Sequence, residues 1–115
     1  MTTTASLAVG PKRLAEAWNE MLPQVIDPSD KASAAPDGKD PNTLRIRIEN
    51  AGRSGWQFEF SCTYVDSREV KVELVSAEQD GEESDERSET AQKLIEKYVR
   101  RIHECAQRLK GLTKG

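Results

Sequence analysis

From Ala91 onward the apolar residues Ala91, Ile95, Tyr98, Ile102, Cys105, Leu109 and Leu112 recur at alternating spacings of four and three. That unbroken stripe predicts one long amphipathic helix from Asp85 to about Lys110. A helix with a single dry stripe needs a surface to cover. The residues before it supply one, because three stretches alternate apolar and polar in the manner of half-buried strands.

Leu44, Ile46 and Ile48 alternate with Arg45, Arg47 and Glu49. After a turn by composition at Asn50–Gly55, Trp56, Phe58, Phe60, Cys62 and Tyr64 alternate with Gln57, Glu59, Ser61 and Thr63. Asp66–Ser67 reverses the chain, and Val70, Val72 and Leu74 then alternate with Glu69, Lys71 and Glu73. Short turns between such runs predict an antiparallel meander with one dry face and one wet face. Most of the large aromatic residues fall in the second run, which marks it as the centre of the core.

Upstream, Gly10–Pro11 opens a helix whose stripe is Leu14, Trp18, Met21 and Val25. Pro23 disfavours helical geometry at Leu22, so this helix is expected to end near Met21 or Leu22. Asp27 to Asn42, with three prolines, a glycine and no period, reads as a linker, and a mobile loop is expected over 27–43. At 115 residues the chain is one domain over 11–115, preceded by a flexible N-terminus over 1–10. The expected fold class is α+β: a three-stranded antiparallel meander, with a short N-terminal and a long C-terminal helix on one face, in the order α-β-β-β-α.

Several function classes are disfavoured. A formal net charge of −3 is unlike a surface built throughout for phosphate. Cys62 and Cys105 are far apart in sequence and each falls on a dry face, the pattern of two buried thiols in a cytoplasmic protein. No apolar run approaches a membrane span, and the first ten residues lack the basic start of a signal peptide. His103 stands beside the long helix's stripe, two residues from Cys105 and about 200° around the helix from it, so the two cannot act together. Metal-ligand spacings, a phosphate-binding glycine loop and a catalytic constellation are all missing, so neither enzyme activity nor a cofactor is expected.

Two features invite a partner. The long helix carries Lys93, Lys97, Arg100, Arg101, Arg108, Lys110 and Lys114 against only Glu96 and Glu104, a basic stripe. Part of it is explained by Glu–Lys and Glu–Arg pairs four residues apart: Glu89–Lys93, Glu96–Arg100 and Glu104–Arg108. Seven carboxylates from Glu78 to Glu89, against Arg87, form an acidic hinge suited to a helix start, with Ser84 or Asp85 as the cap. The helix is also long: 26 residues would run about 39 Å, against roughly 33 Å for a ten-residue strand. Its last turns, with Leu109 and Leu112, then need cover from the N-terminal helix or from a second copy of the chain. A homodimer is expected.

The order α-β-β-β-α resembles that of the double-stranded-RNA-binding domain and of the dimeric YbaB-type nucleoid-associated proteins. In the former family a lysine cluster at the start of the second helix grips phosphate. Here the matching segment, Ser84 to Lys93, carries acids instead. The YbaB-like resemblance implies a dimer with a basic surface, which the Lys93–Lys114 stripe would supply. The expectation is a cytoplasmic, non-enzymatic protein–protein interaction module, adaptor or regulatory, binding another protein or itself. The alternative is a nucleic-acid binder of the YbaB-like type. Candidate surface residues are Lys97, Arg100, Arg101, Arg108, Leu109 and Leu112. Arg45 and Arg47 join them on a first strand that would offer an open edge to an added strand.

Overall fold

The structure is a computed structural model that describes residues 9–51, 55–66, 69–79, 82–83 and 89–113. Helix α1 (Pro11–Val25) leads into strands β1 (Lys31–Pro36), β2 (Thr43–Glu49), β3 (Trp56–Tyr64) and β4 (Val70–Gln79). The two-residue strand β5 (Glu82–Glu83), helix α2 (Glu89–Arg108) and the single turn α3 (Lys110–Thr113) complete the order. The sheet is an antiparallel meander, β1-β2-β3-β4-β5, and the fold is α+β with a helix at each end of the sequence.

The three expected strands are β2, β3 and β4, in the expected register of dry and wet residues. Leu44, Ile46, Ile48, Phe58, Phe60 and Cys62 are essentially inaccessible on the face beneath the helices. A register shift opposite Glu59 and Phe60 leaves Val75 as the extra residue of β4, and it is exposed. The α2 stripe packs as its spacing demands: Ala91, Tyr98, Ile102, Cys105 and Leu109 are buried, with Leu94, Ile95, Val99 and Leu112 half-buried around them. The expected cap residues Ser84 and Asp85, and most of the acidic hinge, lie outside the described residues.

The sheet has one full strand more than the meander of three. The segment read as a linker holds β1, paired antiparallel along β2 from Lys31↔Glu49 to Pro36↔Leu44. Ala32 and Ala34 do face the helices while Lys31, Ser33 and Ala35 face away, but alanine against serine gives too little hydrophobic contrast to show a period. What holds β1 comes from α1. Asn19 donates from Nδ2 to the Ala34 carbonyl at 2.8 Å and accepts from the Ala34 N–H at 2.8 Å, so one side chain bonds both backbone groups that face out of the sheet. The extra strand also removes the element order shared with the double-stranded-RNA-binding and YbaB-type families.

Helix α1 continues past the expected stop at Met21–Leu22 to Val25, with Pro23 inside it. A proline in a helix interior costs about 3 kcal/mol. The final turn buries Leu22 and Val25, with Ile26 just beyond, and each such side chain contributes about 1.5–3 kcal/mol. Burial wins. Helix α1 also lies against α2, and Cys105, Ala106 and Leu109 are buried within one chain. With Leu109 buried and Leu112 half-buried, cover for this end of the helix does not require a second copy.

Replacing Asn19 by leucine should free the Ala34 backbone groups and cost about 1–3 kcal/mol, two net hydrogen bonds. Amide exchange would show it directly. Protection at Ala34 should fall well before that at Phe60, and equal loss at both would mean that Asn19 does not hold β1.

Candidate interaction surface

The eight residues singled out from the sequence do not form one surface. Lys97 pairs with Asp27 at the end of α1's tail, and its ammonium also lies 5.6 Å from the Tyr98 ring. This contact holds the Asp27 carboxyl below the usual carboxylate range. Arg101 and Arg108 reach the same carboxylate, Glu104, at 3.1 and 2.9 Å. Arg100 is exposed and is the only one of the helix's four candidate cations without an ion pair among the described residues. Of the pairs expected four residues apart, Glu89–Lys93 and Glu104–Arg108 form, at 3.4 and 2.9 Å. Exposed ion pairs of this kind are worth about 0–1 kcal/mol each. Three of the four candidate cations are thus engaged in ion pairs, two of them with one carboxylate.

Arg45 and Arg47 lie on β2, which β1 makes an interior strand, so the open edge expected there does not exist. Both arginines point to the open face of the sheet. Arg45 bonds Asp37 at 2.8 Å and Glu59 at 3.0 Å, and Arg47 stands 3.5 Å from the other oxygen of Glu59. The guanidinium of Arg45 holds the Asp37 carboxyl down. With Ser33 and Ala35 these residues line a shallow hollow of about 250 Å³, a cross-strand charge network on a wet face.

The surface the strand pattern leaves available is the other edge. In an antiparallel ladder alternate residues of an edge strand turn their N–H and C=O outward. The Val65 N–H donates to the Glu69 backbone carbonyl at 3.0 Å, and the Tyr64 N–H donates to the carbonyl of Asn42, just before β2, at 2.8 Å. These bonds set the phase: Lys71 and Glu73 turn their backbone groups to β3, while Val70, Val72 and Leu74 turn theirs away. Among the described residues, β5 pairs only with Glu78 and Gln79, and no strand lies along Val70–Ala77 on that side. Three N–H and three C=O groups therefore face outward in a row.

The two edges of the sheet are unlike. On β1 the outward groups belong to Ala32, Ala34 and Pro36; Asn19 occupies Ala34, and Pro36 has no N–H to offer. On β4 the side chains above the edge are Val72 and Leu74, half-buried against the core, and those below it are Lys71 and Glu73, exposed. Beside the start of β4 a groove of about 400 Å³ is lined by Glu69, Val70, His103, Ala106, Gln107 and Lys110.

No protein-family model, curated protein or solved structure matches the chain.

The expected meander of three already made β4 an edge; what the sequence did not show is that β1 covers the other edge, on β2. The signal of the β4 edge was present in the lone pair of opposite charges, Lys71 and Glu73, set among valines and leucine. Both cysteines are free and buried. Burial pushes Cys62 up, and it pushes Cys105 up to about 12, which leaves little thiolate at neutral pH. Among the described residues no group of three or more metal-ligating side chains comes together, and no helix is long and apolar enough to cross a membrane.

Proposed function

We propose that the chain is a non-enzymatic protein-interaction module, adaptor or regulatory, whose partner adds a strand to the edge of β4. The observation that carries this reading is the contrast between the two sheet edges. One is closed by Asn19 and Pro36, and the other presents the outward backbone groups of Val70, Val72 and Leu74 beside a groove. Strand addition draws affinity from main-chain hydrogen bonds and specificity from pockets that take alternate side chains, and the β4 edge supplies both. The partner is another protein or a second copy of the chain. The raised thiols support a non-catalytic role. Nucleic-acid binding through Lys97, Arg100, Arg101 and Arg108 is the weaker reading, because two carboxylates, Asp27 and Glu104, already engage three of the four.

A photo-crosslinking phenylalanine derivative introduced in place of Lys71 in cells tests the proposal, with the same group in place of Arg100 as comparison. Discrete protein adducts are expected at 71. They should vanish when Val72→Pro is added, since proline there removes an outward N–H and leaves the β3 ladder intact. Adducts indifferent to Val72→Pro, or nuclease-sensitive adducts at 100 alone, would overturn it.

A further inference from the structure

The edge that would accept a strand is complementary to itself. We infer that the strand added to β4 is β4 of a second copy, paired antiparallel about a twofold axis at Val72. This inference rests on the strand-addition reading above and names its partner.

The register follows from two conditions. The first is the hydrogen-bond phase: an added antiparallel strand must set outward-turned residues opposite outward-turned residues, and these are Val70, Val72 and Leu74. The second is charge. Centred on Val72, the pairing sets Lys71 opposite the partner's Glu73 and Glu73 opposite the partner's Lys71, so the open face gains two opposite-charge pairs. Moving the centre by one residue either way sets Lys71 against Lys71 or Glu73 against Glu73. Centres further out shorten the shared ladder or run into the irregularity at Val75. The Val72 register alone joins full overlap to attraction.

The helix side fits the same register. Val70 lies opposite the partner's Leu74, and Val72 meets its own copy on the axis. The groove lined by Val70, His103, Ala106 and Gln107 opens beside that pair and gives the partner's Leu74 a place to pack. Val99 is half-buried one helical turn before His103, on the side of α2 that borders the groove. An isologous interface of this kind uses each contact twice, which suits an edge whose charges are +/− in sequence and −/+ when reversed. The pairing would join two sheets into one continuous sheet with the four main helices on the same face.

The decisive experiment is a charge swap on the full chain, read by sedimentation or light scattering over a concentration series at low salt. Lys71 and Glu73 are both about two-thirds exposed, so these changes do not touch the core. The unaltered chain should dimerise. Lys71→Glu alone or Glu73→Lys alone sets like charges opposite each other twice, and each should weaken the dimer about tenfold or more. Mixing the two single variants should restore a dimer that contains one of each, because every facing pair is then opposite in sign. The Lys71→Glu/Glu73→Lys double variant should dimerise like the unaltered chain. A chain that stays monomeric at every concentration, single variants that dimerise unchanged, or a mixture that fails to recover would each overturn the inference. Heterologous adducts from position 71 that depend on Val72, found with a monomeric chain, would keep strand addition and discard the second copy. Absence of any Val72-dependent adduct would discard both.

Discussion

Replacing Trp18 with alanine should lower the free energy of unfolding by about 3–5 kcal/mol, a large part of the 5–15 kcal/mol typical of a domain. Trp18 is fully buried on α1. Its indole N–H donates to the Tyr64 hydroxyl at 3.1 Å, and the two rings meet edge to face with centroids 6.4 Å apart. The substitution leaves a cavity between α1 and the sheet and takes a donor from a hydroxyl that is itself buried. Tyr64 already titrates above the usual phenol range because of that burial. Thermal unfolding should show the midpoint fall by about 10–25 °C. Trp18→Phe, which keeps most of the volume and loses the hydrogen bond, should cost about 1–2 kcal/mol. A loss below about 1 kcal/mol for Trp18→Ala would mean that α1 is not docked through this residue.

The second large effect is expected at Tyr98. Its ring is buried in α2 against Phe58, with centroids 5.8 Å apart. Its hydroxyl donates to Asp30 at 2.7 Å and accepts from the Asn50 side-chain amide at 2.8 Å, while the other oxygen of Asp30 accepts from the Ala51 N–H at 2.9 Å. One hydroxyl thus ties α2 to the segment before β1 and to the end of β2. Tyr98→Phe keeps the packing and removes both bonds. It should cost about 1–3 kcal/mol, since a part-buried carboxylate loses a donor. Hydrogen exchange separates this from a general loss of stability: the amides of Ala51 and Lys31 should exchange faster at conditions where those of Phe60 and Cys62 do not. Uniform acceleration would mean that the bridge does not act locally.

Both residues show how far the sequence reads. Trp18 and Tyr98 stood on the apolar stripes of their helices, so their burial was legible from spacing. Their hydroxyl and indole partners were not, because Tyr64 is 46 residues from Trp18 and Asp30 is 68 from Tyr98. No local pattern carries that information. The basic stripe on α2 illustrates the converse. Its charges were plain in the sequence, and two of the three expected i,i+4 pairs form, but Lys97 is answered by Asp27 from another element. Pro23 misled for a related reason. A local rule stopped the helix where burial of Leu22 and Val25 carries it on.

Sequence alone determined which residues are dry. The period of two in β2, β3 and β4 and the rhythm of four and three in α2 each choose one face, and a one-residue slip would put every apolar side chain into water. It also determined the α+β class, since each element's dry face needs another to cover it. Tertiary structure decided how many strands there are and which edge no described strand covers along Val70–Ala77. Those depend on Asn19 reaching across to the Ala34 backbone and on α1 lying over β1, contacts between weakly patterned segments whose pairing is worth little until the core beneath them has formed.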